Sequence, residues 1–300
     1  MGKFDALASS LVVAGHGRHY IVESPDGTRL TCHPRGKKSD CVVGDRVRWQ
    51  ASGDEGVIDR IEPRRNLLFR QDEWRSKSFA ANLDQLLVLV AAEPMYAETQ
   101  LTRALIAATQ AGIPAFVVLN KVDLPQAAAA RERLAPYRAM GVEVIELSLK
   151  GDPLLVKALL MPRLEGRSTL VLGPSGMGKS TLINLMVPAA AAQVGEISLA
   201  LNTGRHTTTT TTWYWLGEER HTALIDSPGF QNFGLRQVLP ADLAPLMPDM
   251  AKHIDCRFYN CSHLHEPGCG VRAALERGEI SASRYRIYQE LFAEVSTTKW

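Results

Sequence analysis

The amino-acid sequence predicts an α/β protein with a mostly parallel sheet, preceded by a small β-barrel and followed by a small, cysteine-rich α-helical segment. Three observations predict this organisation: short β-type runs before residue 80, alternating strands and helices over 81–236, and clustered cysteine and histidine after 237. The 300 residues suffice for two or three domains. We therefore place three domains at residues 1–80, 81–236 and 237–300.

Composition and charge exclude several classes of protein. Apolar residues make up 45% and charged residues 22% of the chain, as in soluble globular proteins. The longest bulky apolar run, 86–92, is far shorter than the roughly 20 residues of a membrane helix. Since the formal net charge is only +2, any RNA contact must come from local patches. Lys3 is the only basic residue ahead of the apolar stretch 6–15, so we expect no secretory signal, no membrane partner and a cytoplasmic protein.

The first domain contains five β-type runs separated by turn residues. Their number and spacing suit an OB-fold, although another small β-barrel would also fit. The runs are residues 10–14, 18–23, 28–32, 46–50 and 55–61.

A basic stretch with interleaved aromatic residues follows over 64–77. Such a pattern suits phosphate contacts and base stacking, and a solvated linker is an equally good interpretation. The residues concerned are Arg64, Arg65, Phe69, Arg70, Trp74, Arg75 and Lys77, with Phe79 just after them.

The second domain alternates apolar strands with helical patterns, which is typical of a buried parallel sheet. Pro136 should end or kink the second of its helices. We predict strands at 86–92, 114–119, 142–147, 168–172, 213–216 and 221–225, and helices at 102–110 and 127–134. The third domain ends in a helical pattern over 281–295.

Residues 173–180 fit the phosphate-loop pattern G-x4-G-K-[ST]. They follow a predicted strand and open a helix, which is the context this pattern requires. Lys179 can reach the β- and γ-phosphates of a nucleotide, and Ser180 can ligate Mg²⁺. The predicted phosphate-binding residues are Gly173, Pro174, Ser175, Gly176, Met177, Gly178, Lys179, Ser180 and Thr181.

An N-K-x-D motif, formed by Asn120, Lys121, Val122 and Asp123, follows another predicted strand. The Asp123 carboxylate can accept from the ring N–H and the exocyclic amine of guanine, whereas adenine offers no such pair of donors. Asn120 can bridge the base and the phosphate loop. Ser148 and Lys150 lie in a weaker, second base-binding loop. The motif thus favours GTP and GDP as ligands over the alternative of an ATPase or kinase.

A D-x-x-G motif with Asp226 and Gly229 follows the strand predicted at 221–225. Asp226 is placed to hold Mg²⁺, and the Gly229 N–H to sense the γ-phosphate. The base loops precede the phosphate loop, which is the reverse of the order in ordinary GTPases. Because these loops all follow sheet strands, a circular permutation keeps the pocket intact.

Three cysteines and several histidines cluster near the end of the chain. Cys256, Cys261, Cys269 and His263 supply three thiolates and an imidazole, the ligand set of a closed structural Zn²⁺ site with one ion per chain. His265 and His253 are alternatives for the imidazole. We expect this domain to have little apolar core, so that removing zinc unfolds it without abolishing GTP binding. Cys32 and Cys41 stand apart and are interpreted as ordinary barrel residues.

Five features of the chain together resemble the RsgA (YjeQ) family. They are the permuted motif order, the N-terminal β-domain, the segment 204–209 with sequence GRHTTT, the segment 226–230 with sequence DSPGF and the Cys-x4-Cys-x-His-x5-Cys pattern. The resemblance covers essentially the whole chain and favours His263 as the zinc ligand. Phe230 occupies the position where many GTPases carry a water-orienting glutamine, and the resemblance supports His206 for that role. Thr208 is then the Mg²⁺-ligating threonine of the tract 207–212, with Thr207 and Thr209 as alternatives.

The resemblance implies a GTPase of small ribosomal subunit biogenesis. The subunit and its rRNA would be the partners, the subunit would stimulate turnover, and hydrolysis would trigger release after late assembly. Lys179, His206 and Thr208 are the predicted catalytic residues, and we expect a monomer. Two alternatives remain: an RNA-binding assembly scaffold whose nucleotide only orders the domains, and a GTPase that serves another client such as a tRNA or a metalloenzyme.

Overall fold

The computed structural model of the chain describes residues 9–36, 40–71, 76–188, 190, 211–227, 235 and 237–297. Within these residues, eleven strands form one continuous sheet and two form a separate hairpin.

The first five strands close into a barrel. They pair in the order β1-β2-β3-β5-β4, and β1 pairs again with β4 to close the ring. Only β3 and β5 are parallel within it. This arrangement confirms the predicted OB-fold. The strands are β1 (Ser10–His16), β2 (His19–Glu23), β3 (Arg29–Pro34), β4 (Arg46–Ser52) and β5 (Glu55–Ile61).

Apolar side chains fill the barrel because alternate residues of each strand point inward. Cys32 and Cys41 lie among them as free, buried thiols, as the sequence predicts. The interior consists of Val12, Tyr20, Val22, Cys32, Cys41, Val47 and Ile58.

The basic stretch contains a hairpin of β6 (Leu67–Gln71) and β7 (Ser76–Ala81), where the sequence suggested a nucleic-acid patch or a linker. Arg64, which precedes it, is bound within the protein: its Nε donates to Asp45 over 2.7 Å, and Asp45 is fully buried. Arg65 likewise pairs with Asp84 at 2.9 Å. Trp74 and Arg75 lie outside the described residues.

The second domain has the predicted mostly parallel sheet, in the order β10-β9-β8-β11-β13-β12. All its pairs are parallel except β12–β13, and helices cover it. The strands are β8 (Gln85–Ala91), β9 (Ala115–Asn120), β10 (Val144–Glu146), β11 (Ser168–Leu172), β12 (Thr211–Trp215) and β13 (Ala223–Asp226). The helices are α1 (Glu98–Gln110), α2 (Ala127–Ala139), α3 (Pro153–Leu164) and α4 (Lys179–Met186).

Pro136 was predicted to end or kink the second helix; it does not end it, since α2 continues to Ala139. A proline there lacks the N–H that would reach the carbonyl of Glu132. Glu132 is exposed, so its carbonyl can be solvated instead. Leu134 and Tyr137, on either side of the proline, are fully buried and hold this turn against the sheet.

The barrel and the α/β sheet are joined. Strand β1 pairs antiparallel with β12, with Ala14 opposite Thr212 and Gly15 opposite Thr211. One apolar cluster contains barrel residues such as Leu11 and Val13 together with Trp213 and Ile225. The barrel and the α/β sheet therefore share a continuous sheet and an apolar core, and the domain boundary near residue 80 stays a prediction.

The C-terminal part is helical, with α5 (Pro240–Leu243), α6 (Pro248–Ala251), α7 (Gly270–Glu276) and α8 (Ala282–Thr297). Contrary to the expectation of little core, it encloses a substantial apolar cluster that also takes in Ile106 of α1. The cluster includes Leu243, Met247, Met250, Val271, Ala274, Ile280, Tyr288, Leu291 and Val295. Among the described residues, no helix has both the length and the apolar character needed to cross a membrane.

Candidate functional site

The loop between β11 and α4 has the backbone that the phosphate-loop pattern requires. Gly176 and Gly178 have φ angles of 80° and 109°, in the left-handed region that favours glycine. A Cβ atom at Gly173 would lie 2.3 Å from the carbonyl oxygen of Leu89, and one at Gly178 would lie 2.5 Å from Nδ2 of Asn120. The loop can therefore pack against β8 and β9 only with glycine at these positions.

Lys179 begins α4 and turns back over this loop. Its Nζ donates to the carbonyl oxygens of Gly173, at 2.5 Å, and Pro174, at 3.0 Å. Burial lowers the pKa of Lys179, against the opposing charge of Asp226. Ser175, Ser180 and Thr181 are exposed beside it, whereas Met177 is buried. The lysine is thus held where phosphate oxygens would arrive, with hydroxyl groups next to it.

Asn120 connects three loops from the end of β9. Its Nδ2 donates to the carbonyl of Met177 over 2.8 Å, in the phosphate loop. Its Oδ1 accepts from the backbone N–H of Lys121, at 2.7 Å, and of Leu149, at 2.9 Å. Asn120 is only 3% exposed, so its side chain bonds to these backbone groups instead of to water. The two predicted base loops and the phosphate loop are therefore held together by one amide.

Lys121 and Asp123 extend from the same turn in different directions. Lys121 has a φ of 60° and donates from Nζ to the carbonyls of Glu93, at 2.6 Å, and Gly176, at 3.0 Å. Asp123 is exposed, and a hydrogen bond from the Ser148 hydroxyl lowers its pKa, aided by the charge of Lys150. The carboxylate is therefore ionised and open to a donor-bearing ligand. Val122 is half-buried between them, and its N–H faces the carbonyl of Leu147 at 3.4 Å.

Asp226 lies at the end of β13, beside the phosphate loop. Its side chain is 7% exposed, and burial raises its pKa to about 6, against the opposing charge of Lys179. The next residue, Ser227, donates its hydroxyl to the carbonyl of Val171 over 2.8 Å. The buried carboxylate is thus fixed next to β11, close to the lysine that it influences.

These groups meet because the loops follow the carboxyl ends of parallel strands in one sheet, namely β9, β10, β11 and β13, with β8 between β9 and β11. Ligands of open α/β sheets bind at this edge, whatever the order of the strands in the chain. The permuted motif order is therefore compatible with one pocket.

A second cluster, in the C-terminal part, brings Cys256, Cys261, His263 and Cys269 together, with all ligand atoms within 4.8 Å of one another. Zinc held tetrahedrally by thiolates at about 2.3 Å needs sulfur atoms about 3.8 Å apart. The Sγ atoms of Cys256 and Cys269 are 3.9 Å apart, and Nδ1 of His263 is 3.4 Å from each. The donor set and its spacing therefore fit Zn²⁺.

His263 occupies the imidazole position of this cluster, and its two alternatives do not. His253 instead faces Glu279 at 3.6 Å, and His265 has its backbone bound to Glu266. His263 is 5% exposed and has a φ of 59°. Helix α8 supports the turn, since the hydroxyls of Tyr285 and Tyr288 donate to the carbonyls of residues 263 and 262 over 2.7 and 2.8 Å.

Comparison with known sequences identifies the family. Residues 61–236, more than half of the chain, match the sequence model of the family described as RsgA GTPase. The chain belongs to the RsgA GTPase family. It is therefore an enzyme that hydrolyses GTP.

Two relatives extend the similarity to nearly the whole chain. Small ribosomal subunit biogenesis GTPase RsgA of Variovorax paradoxus (strain S110) is 62% identical over 300 residues, covering 98% of this chain and 94% of the relative. The protein of the same name from Burkholderia pseudomallei (strain K96243) is 55% identical over 293 residues, covering 96% of this chain and 93% of the relative. The similarity to RsgA proteins thus includes the barrel and the cysteine cluster.

Two solved structures share the fold. The crystal structure of YjeQ from Thermotoga maritima has a TM-score of 0.71 and 28% identity, covering 97% of this chain and 99% of that one. YloQ, described as a circularly permuted GTPase, has a TM-score of 0.70 and 24% identity, covering 100% and 99%. The RsgA-type permuted fold predicted from the motif order is confirmed.

Several predicted site residues of this RsgA-family chain lie outside the described residues. They are His206, Thr207, Thr208, Thr209, Gly229 and Phe230. Conversely, sequence reasoning missed three residues that shape the pocket. Glu93 and Leu89 contribute backbone carbonyls, for which side-chain identity carries no signal, whereas Ser227 stands inside the D-x-x-G motif and could have been noted.

Proposed function

We propose that this enzyme hydrolyses GTP during late maturation of the small ribosomal subunit, that the subunit stimulates turnover and that hydrolysis releases the protein. The observation that carries the proposal is the 62% identity, over 98% of the chain, to a protein named small ribosomal subunit biogenesis GTPase. Its partners would be guanine nucleotides, the subunit and its rRNA. It would act as a monomer in the cytoplasm, where ribosomes assemble.

The nucleotide would bind across the loops that Asn120 ties together. Residues 173–181 would surround the phosphates with backbone N–H groups, and Lys179 would leave its loop carbonyls for the β- and γ-phosphates. Asp123, ionised and exposed, would accept the two guanine donors, with Ser148 and Lys150 beside it. Lys121 and Val122 would shape the base pocket. The hydrogen bonds of Asn120 support this arrangement.

Mg²⁺ would be held by Ser180, Thr208 and Asp226. A bound Mg²⁺ ion would neutralise charge on the β- and γ-phosphates. The hydroxyl and carboxylate oxygens suit this hard cation. Gly229 would contact the γ-phosphate, and His206 would orient the attacking water, because Phe230 cannot do so. Catalysis would then consist of positioning and charge stabilisation.

Zinc would be structural. Cys256, Cys261, His263 and Cys269 fill the four positions of a closed tetrahedral site, which leaves none for a substrate. The ion would fix the loop between α6 and α7, and we assign it no part in hydrolysis.

The test is GTP turnover by the purified protein, alone and with purified small subunits, with ATP as the control nucleotide. We expect slow intrinsic hydrolysis, strong stimulation by subunits and no use of ATP. Binding to subunits without stimulation would instead favour an assembly scaffold. Absence of binding would point to another client for the GTPase.

A further inference from the structure

Strand β12 lies between the barrel and the nucleotide site. On one side it pairs with β1, with Ala14 opposite Thr212. On the other it pairs with β13, with Thr212 opposite Asp226. A single row of the sheet therefore runs from the barrel through Thr212 to the carboxylate beside the phosphate loop.

A buried carboxylate of the barrel reaches across to this strand. Glu23, at the end of β2, is 5% exposed. Its Oε1 accepts from Nε1 of Trp215 in β12 over 2.7 Å, and its Oε2 accepts from Nε of Arg29 over 2.7 Å. A buried carboxylate without such partners would be costly, so the three groups hold one another in place.

The turn between β12 and β13 also rests on the barrel. Arg220, in this turn, has its Nη1 3.8 Å from Oε1 of Glu23. Its guanidinium lies so close to Gly27, in the β2–β3 turn, that a Cβ atom there would meet it at 2.0 Å. Trp213, at the centre of β12, is buried in the cluster shared with the barrel. The strand is thus held by backbone pairing, an apolar contact and the Glu23 carboxylate.

We propose that the barrel positions β12, and through it Asp226, for GTP hydrolysis, with Glu23 as the positioning residue. This inference rests on the proposed role of Asp226 in holding Mg²⁺. GDP would be held by the base loops and the phosphate loop, which Asn120 joins, so loosening β12 affects hydrolysis more than GDP binding. By linkage, a ligand that shifts the barrel against β12 alters the affinity for GTP, and GTP alters that ligand's affinity by the same factor.

The experiment compares Trp215→Phe, which keeps an aromatic ring and removes the N–H donor, with Glu23→Gln and the double variant. We expect each single variant to lower kcat by roughly threefold to tenfold, because only part of the free energy of the lost hydrogen bond acts on the position of β12. The Mg²⁺ concentration for half-maximal turnover should rise, and the GDP dissociation constant should stay within about twofold of the parent. Because the two side chains act as a pair, the double variant should be no slower than the slower single variant.

Trp49→Phe is the matched control. Nε1 of Trp49 donates to Ser10 over 3.1 Å inside the barrel, the same kind of bond away from β12. Its kcat should remain at the parent level. Parent-like turnover of Trp215→Phe and Glu23→Gln would overturn the inference, as would equal losses of GTP and GDP binding. Asp226→Asn tests the proposed function separately: parent-like hydrolysis by that variant would refute the proposed role of Asp226 itself.

Discussion

At the scale of single residues, the candidate nucleotide site depends on buried side chains that fix its loops as much as on exposed groups that would meet the ligand. Asp123 and Ser180 are exposed, whereas Asn120 and Asp226 are 3% and 7% exposed. A buried side chain with several backbone partners has one conformation before the ligand arrives. The pocket is therefore largely formed by the protein's own hydrogen bonds.

Asn120→Ala should weaken the binding of both GTP and GDP. The substitution removes the bonds to Met177 and Leu149, which leaves buried backbone groups unpaired. We expect the dissociation constants to rise by about tenfold to a hundredfold, as measured by calorimetric titration. Asn66→Ala is the control, because Asn66 makes a similar pair of bonds to Leu83 away from the pocket. Unchanged nucleotide affinity of Asn120→Ala would contradict the bridging role.

The affinity for Mg²⁺ should depend on pH through Asp226. Burial raises the pKa of this carboxyl to about 6 in the ligand-free protein. Only the ionised form attracts Mg²⁺, so affinity should rise with pH up to about 6 and fall about tenfold for each unit below it. Mg²⁺ titrations of the GDP complex at pH 5, 6 and 7.5 measure this. The dependence should be weaker in Asp226→Asn, where the terminal phosphate of GDP still titrates at about pH 6; an unchanged dependence there would assign it to another group.

At the scale of elements, the sequence correctly predicted those strands whose apolar run is bounded by neighbouring residues in the chain. The bounds of β5 and β11 agree with the prediction because turn or polar residues flank both runs. The hairpin β6–β7 was missed, since its charged and aromatic residues resemble a ligand-binding patch more than a strand. Strand β10 is shorter than predicted, with only Val144–Glu146 paired to β9. A pattern identifies a candidate strand, but the neighbouring strand decides how much of it pairs.

Helix α2 likewise shows that a local sequence signal does not decide where an element ends. Burial of its apolar residues stabilises the helix by more than the internal proline destabilises it. Pro136→Ala should restore the missing helical hydrogen bond and stabilise the protein by about 1–3 kcal/mol, measured by chemical denaturation. Pro162→Ala, in α3, offers a parallel case. A lower stability of Pro136→Ala would mean that the ring itself makes a packing contact worth more than the bond.

At the scale of the whole molecule, sequence patterns locate the candidate sites and do not reveal how the parts join. The loops of the nucleotide site could be placed together because their strands are parallel neighbours. The pairing of β1 with β12, by contrast, joins residues about two hundred positions apart, and no local signal specifies that partner. The C-terminal core was underestimated for the same reason, since its apolar residues come from short, separated helices.

Removal of zinc should loosen part of the C-terminal region and leave the rest folded. The four candidate ligands lie within residues 256–269, whereas α5 and α8 are held by the apolar core. After chelation we expect faster amide hydrogen exchange over 256–269, retained protection in α8, and GDP affinity within about twofold of the untreated protein. Unchanged exchange over 256–269 after complete chelation would argue against a structural ion.

The C-terminal part should remain attached to the GTPase domain through Arg284. This residue is 2% exposed on α8. It donates to Asp249 at 2.7 and 3.1 Å and to Thr102 of α1 at 2.6 Å, and its guanidinium lies 4.8 Å from the ring centre of Tyr137 in α2. A lysine carries a single ammonium group in place of the planar guanidinium, and it cannot donate to all these partners together.

Arg284→Lys should therefore destabilise the contact between the C-terminal helices and α1–α2 by about 1–3 kcal/mol. In urea, the C-terminal helices should lose amide protection at a lower concentration than the central sheet, whereas in the parent the two regions should unfold closer together. Arg286→Lys, at an exposed position of the same helix, is the control and should behave as the parent. If Arg284→Lys leaves the relative stability of the two regions unchanged, the apolar cluster around Ile106 is sufficient to hold them together, and the buried arginine serves only the orientation of α8.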